Sequence, residues 1–144
     1  MELTIVLAIL AIIAAILIPT FLNTTDRARL RSDIQSTHVI HNAMELYRAE
    51  RGRAVAGSTN IGTDTINMVT VLNNLYDAGY LPEMDVNDAQ TDGAVWAIRT
   101  VLINSRNVTR VVLDISAVQS ETIHRAANNL PDNERRYVYG INTP

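Results

Sequence analysis

Cysteine is absent from the 144-residue chain. No disulfide can staple it, so the fold must be held by core packing or by a bound ion, and the redox compartment is unreadable. Aromatics are scarce: a single Phe and a single Trp leave aliphatic side chains to build the core. Positive charge is not in excess. The net charge is −3, which provides no basic field to hold nucleic acid. Signatures of catalysis are missing too. No serine–histidine–acid set, phosphate-binding loop or glycine fingerprint occurs, and neither does an internal repeat.

One absence has a location. Between Glu2 and Asp26 no charged residue occurs. Leu3 to Ile18 are all Leu, Ile, Val or Ala apart from Thr4. A helix that is hydrophobic all round belongs in a membrane or inside a large core. With the uncharged TFLNTT that follows Pro19, the span is long enough for a bilayer, which needs about 20 residues. The remainder of the chain has too little apolar material to surround such a helix in a core. A cleaved secretory signal would carry a basic flank before the run and a small-residue cleavage site after it. Here the flank is acidic, and the run passes through Pro-Thr-Phe-Leu into a polar helix. The segment is therefore expected to be retained.

Glu2 sits where a helix dipole favours a carboxylate. In an apolar assembly it must also find a cation or protonate, because an unpaired buried charge costs several kcal/mol. The nearest cation on the chain, Arg27, is more than about 30 Å away along a helix. The partner must come from another chain or from a chain terminus.

Glu-Leu, an uncharged apolar run, and a proline at Pro19 together resemble the N-terminal segment of type IV pilins and pseudopilins. The resemblance covers about the first 50 residues closely and the rest in organisation. It implies that a short basic leader is removed by a prepilin peptidase, and that the chain as given starts a few residues late or with a substituted start. It implies that Glu2 pairs with the N-terminal amine of a neighbouring subunit and that Pro19 marks a helix break in the filament. Many family members have glycine where this chain has Ala11. Alanine is the better helix former by about 1 kcal/mol, so melting is expected to centre on Pro19, which lacks a donor. Many members also staple a C-terminal loop with a disulfide, and this chain cannot.

After Asp26 the pattern becomes amphipathic. Leu30, Ile34, Thr37, Ile40, Met44 and Tyr47 recur at helical steps, with Arg27, Arg31, Asp33, Glu45 and Arg48 away from that stripe. Gly52 is a suitable C-cap. One long helix is predicted over 2–51, half without a face and half with one. AVAGSTNIGTDT reads as a loop. A short helix follows over 66–78, with Met68, Val71, Leu72 and Leu75 on one side, Asp64 or Thr65 as cap, and Gly79 and Pro82 ending it. LYDAGYLPEM weakly resembles a stretch between helix and sheet in the same family. AVWAIRTVLI, TRVVLDIS and RRYVYGI read as strands, the first two a hairpin around INSRNV. Between the last two, Ile123, Ala126, Ala127 and Leu130 have helical spacing up to Pro131. The pattern predicts an α+β fold in which the amphipathic half-helix packs on a small antiparallel sheet, and the resemblance implies the type IV pilin fold. Residues 1–25 form the hydrophobic half-helix. Residues 26–144 form the head, including the amphipathic half-helix 26–52.

Metal-binding candidates are few. His38 and His41 lie about one turn apart with Glu45 beyond, a half-site for a metal at best; surface residues are the simpler reading. Asp85, Asp88 and Asp92 stand in the oxygen-rich DVNDAQTDG, a calcium candidate. The calcium-loop pattern fails because no Glu closes it and Arg99 stands there instead. Some pseudopilins bind calcium in a C-terminal loop, but their ligands do not map onto this chain, and a solvated turn is favoured. His124 reads as packing or surface. Asn23-Thr24-Thr25 and Asn107-Val108-Thr109 fit the glycosylation triplet, which is common by chance, and STNIGTDT has hydroxyls that could carry sugars.

These readings point to a non-enzymatic structural subunit of a type IV pilus-like surface filament. Its expected partners are itself, as a helical homopolymer, the cytoplasmic membrane before assembly, and the assembly platform with its ATPases. No cofactor and no nucleic acid are expected. A pseudopilin of a secretion or DNA-uptake machine is the alternative within the family. Outside it stands a membrane-anchored enzyme or binding domain, which would be indifferent to Glu2.

Overall fold

The computed structural model describes residues 2–58, 65–103 and 106–141, excepting the side chains at positions 2, 18–20, 22, 65–67, 100–103 and 106–108. The long helix is there. α1 runs from Glu2 to Arg51. It is continuous at position 19; the break expected at Pro19 concerns the assembled subunit. Gly52 ends it as expected, in the left-handed region at φ 63°, with its N–H donating to the Arg48 carbonyl over 2.9 Å.

The six predicted stripe residues from Leu30 to Tyr47 are all buried. Their spacing makes one face of α1 the floor of the core. Asp33, expected outside the stripe, is buried as well, at 1% exposure. α2 spans Thr65–Asp77, one residue ahead of the prediction. Met68, Val71, Leu72 and Leu75 are all buried on it. Gly79, at φ 79°, lets the Tyr80 N–H turn back to the Leu75 carbonyl over 2.9 Å, closing the last turn. The proposed cap Asp64 and the loop positions 59–64 lie outside the described residues.

β1 (Val95–Ile103) and β2 (Arg106–Asp114) pair antiparallel, from Val95↔Asp114 to Ile103↔Arg106. That is the expected hairpin; positions 104 and 105 lie outside the described residues. Helices α3 (Glu121–Asn128) and α4 (Asp132–Arg135) follow, and then β3 (Val138–Tyr139). The sheet order is β1-β2-β3. Here the expected all-antiparallel sheet is corrected: β3 pairs parallel to β2, Leu113↔Val138 and Asp114↔Tyr139, so the sheet is mixed. Parallel pairing needs a crossover of about a dozen residues or more, and the chain from Ile115 through α3 and α4 supplies one. The strand read into RRYVYGI shrinks to two residues because its first half closes α4.

The strands alternate faces. Trp96, Ile98, Val111 and Leu113 join the stripe of α1, the apolar side of α2, and Ile123, Ala127 and Leu130 in one core cluster. Fully burying a Leu, Ile or Val side chain stabilises by about 1.5–3 kcal/mol, which is how a head without disulfides can hold. On the other face Asp114 accepts hydrogen bonds from Arg99 (2.7 Å) and from the Ser116 N–H and hydroxyl (2.9 and 2.6 Å). The Arg99 guanidinium lies 3.9 Å from the Tyr139 ring centre. This polar cluster, and the Ile115 N–H donating to the Tyr139 carbonyl over 2.9 Å, dock β3.

Gly140 makes the docking close. Its φ is 79°, and a Cβ there would fall 2.5 Å from the Ser116 backbone nitrogen. Gly140→Ala is predicted to destabilise the head by at least about 1 kcal/mol, through both the clash and the left-handed backbone. A drop in melting temperature of about 2–4 °C or more checks this; an unchanged melt would mean β3 docking contributes nothing.

Candidate functional site

The first feature is the projecting half of α1. Every side chain from Leu3 to Leu17 is exposed, and so is Phe21 at 72%. The exposed Leu, Ile and Val residues surround the helix, so no single face could be hidden by a small local cover. Among the described residues no helix is long and apolar enough to cross a membrane. The side chains of Glu2 and Pro19, the two predicted assembly residues, lie outside those described.

The second feature is a clamp between α1 and the acidic loop. Asp33 accepts the N–H of Gln90 over 2.8 Å and of Thr91 over 2.7 Å, one with each carboxylate oxygen. Asp85 accepts from the Asn87 N–H at 2.9 Å, and Asp88 from the Asp85 N–H at 2.7 Å. Two of the calcium candidates, Asp85 and Asp88, are thus engaged in forming their own turn. Asp92 is exposed beside it. Among the described residues, no three His, Asp or Glu side chains come together as metal ligands. Asp33 could have been found from its three-residue step after Leu30, which places it within the stripe.

The third feature centres on Tyr137, which the sequence did not single out. Its ring centre lies 3.9 Å from that of His38 and 5.8 Å from that of His41. The two histidines, read more simply as surface residues than as a metal half-site, pack against this ring. Arg110 and Arg136 reach the same ring, at 5.0 and 5.6 Å, distances at which cations are attracted to a π face. Arg110 is only 7% exposed, and among the described residues its Nε and Nη1, like His41 Nδ1, have no hydrogen-bond partner. Burial lowers the pKa of Arg110, and the nearby Arg136 adds to this. Burial likewise lowers His41 below its ordinary 6.5; Glu45 opposes that, while Arg110, His38 and Arg136 reinforce it. Beside this cluster an open cleft of about 440 Å³ is lined by Arg31, Ile34, Gln35, His38, Pro131 and Glu134.

The remaining candidates have structural roles. His124 is buried and its Nε2 donates to the Val118 carbonyl over 2.8 Å. Asn23 accepts from the Thr122 hydroxyl over 3.2 Å, tying α3 to α1. The side chains of Asn107 and Val108 lie outside the described residues. No protein-family model, curated protein or solved structure matches this chain.

Two predictions follow from these groups. Asp33→Ala orphans two backbone donors and is expected to cost about 3 kcal/mol, with faster amide hydrogen exchange at Gln90 and Thr91; unchanged exchange there would refute the clamp. The head should also lose stability with acid in two windows. His41 is held neutral, so its contribution is full above 6.5 and is lost as pH falls through its lower folded value. For Asp114, burial alone would raise the pKa, but bonds from Ser116 and Arg99 outweigh it. Its contribution is full above 3.8 and is lost further down. Melts from pH 7 to pH 3 check both. His41→Phe should remove the upper window and Asp114→Asn the lower.

Proposed function

We propose that this chain is a structural subunit of a type IV pilus-like filament, with the type IV pilin fold, polymerising through its hydrophobic half-helix. The observation that carries the reading is the unbroken passage of α1 from a half exposed on all sides, Leu3–Leu17, into a half whose stripe is the floor of the head core. The exposed Leu, Ile and Val side chains of that half are unfavourable in water at roughly 25 cal/mol per Å². They need an apolar environment that the head does not provide. A bilayer supplies it before assembly, and a bundle of the same helices supplies it afterwards. Transfer between the two is nearly neutral for Leu, Ile and Ala, so what directs it must be the one ionisable group at the end of the run. Glu2 pairing with a neighbour's N-terminal amine fills that role, as the family resemblance implies, and fixes axial register where uniform apolar contacts cannot.

Glu2→Ala is therefore expected to leave the subunit made, inserted and folded, while filament yield collapses. A broken buried pair costs about 3–5 kcal/mol, equivalent to about 100-fold or more in the constant for subunit addition. Surface filament yield, measured against membrane-bound subunit in the same cells, tests it. A normal yield would mean the carboxylate has another task. A fragment from Arg27 onward is expected to be soluble and monomeric by ultracentrifugation, because its helix has a polar face and a covered apolar one. Filaments from that fragment would overturn the proposed driving force.

A further inference from the structure

The head carries an acidic segment on one flank and a cluster of cations on another. From Ala54 to Ile98 the chain holds six Asp or Glu and no Lys or Arg. Glu83, Asp85, Asp88 and Asp92 of that stretch are exposed. The Asp33 clamp and the Asp85–Asp88 turn hold them in one place, so little ordering would be lost when a partner binds. Across α1, the Tyr137 cluster gathers Arg110, Arg136, His38 and His41. Glu45 and Glu134 lie near it, and among the described residues neither forms an ion pair with it. The two ion pairs among the described residues, Arg99–Asp114 and Arg125–Glu121, lie elsewhere. Arg110 is the unusual member. A buried cation without a counterion is costly, and its field is weakly screened by the surrounding protein. Arg136, exposed above it, is placed to meet an incoming anion.

We propose that these two patches are the two halves of one contact: the acidic segment 83–92 of one copy seats on the Tyr137 cation cluster of the next. The contact rests on the filament reading and adds where the heads meet. Both patches belong to the same chain and are complementary in charge. They cannot meet within one molecule. At about 100° per residue, Asp33, which marks the acidic side, stands about 140–160° around α1 from His38 and Arg31, which line the cleft on the cationic side. A contact between two different patches is heterologous, and when its rotation does not close it generates a helical filament. The apolar helices supply the attraction, and the charged flanks select the angle at which one head follows another.

The chain lacks cysteine, so an introduced pair is unique. Filaments of the full chain carrying Arg136→Cys and Asp88→Cys should give a ladder of disulfide-linked multimers on oxidation, with neither single variant giving more than a dimer. Arg136→Glu should raise the subunit concentration needed for filaments at least tenfold in low salt, with the head's melting temperature unchanged. Adding Asp88→Arg to it should recover most of that loss. Filaments that form as in the unmodified chain, without a ladder and with Arg136→Glu neutral, would overturn the contact. So would binding of inorganic phosphate at the cluster that assembly does not displace. An unmodified chain that makes no filaments at all would overturn the filament reading, and the contact with it.

Discussion

One helix has to satisfy two surroundings. The half of α1 from Leu30 to Tyr47 is covered by the sheet, α2 and α3, while the side chains of the half from Leu3 to Leu17 are exposed. Because the helix is continuous between them, the position of the head is set by whatever encloses the other end. The rest of the molecule answers to that constraint. The sheet offers one apolar face to α1. The crossover through α3 extends the cover as far as Asn23, through the bond from Thr122. Beyond that point every side chain from Leu3 to Leu17 is exposed.

The charged groups of the head divide into two kinds. Asp33 and Asp114 are buried, and each is surrounded by donors: backbone N–H groups at Gln90, Thr91 and Ser116, and the Arg99 guanidinium. They act as internal fasteners for the acidic loop and for β3, whose carbonyl at Tyr139 and close approach at Gly140 complete the join. Arg110 is as buried as Asp114, but among the described residues its Nε and Nη1 have no partner, and the Tyr137 face softens the cost.

Much of this was legible from spacing. The stripe from Leu30 to Tyr47, the stop at Gly52, α2 with its Gly79 cap and the β1–β2 hairpin follow from local pattern and turn chemistry. The charge of Asp33 argues for the solvent side of α1. Yet a three-residue step from Leu30 put it on the buried face, and only the distant Gln90 and Thr91 amides make that tolerable. The direction of β3 was not readable, since composition marks a strand and says nothing of whether a crossover returns it parallel. The His38 and His41 pair was visible, but its partner Tyr137 sits near the far end of the chain. The isolation of Arg110 depends on what fails to arrive from every neighbouring element, which no local pattern records.

The continuity of α1 also has a mechanical meaning. A helix of 50 residues is about 75 Å long at 1.5 Å per residue. Tension applied between its ends passes through backbone hydrogen bonds within one element, turn after turn, and never enters the sheet. The strands, the clamp at Asp33 and the two-residue β3 hang beside that line of force as a side branch. The head can then be marginally stable, acid-sensitive and held by a few polar joins without being the part that yields under load. What extends first must lie along the rod itself.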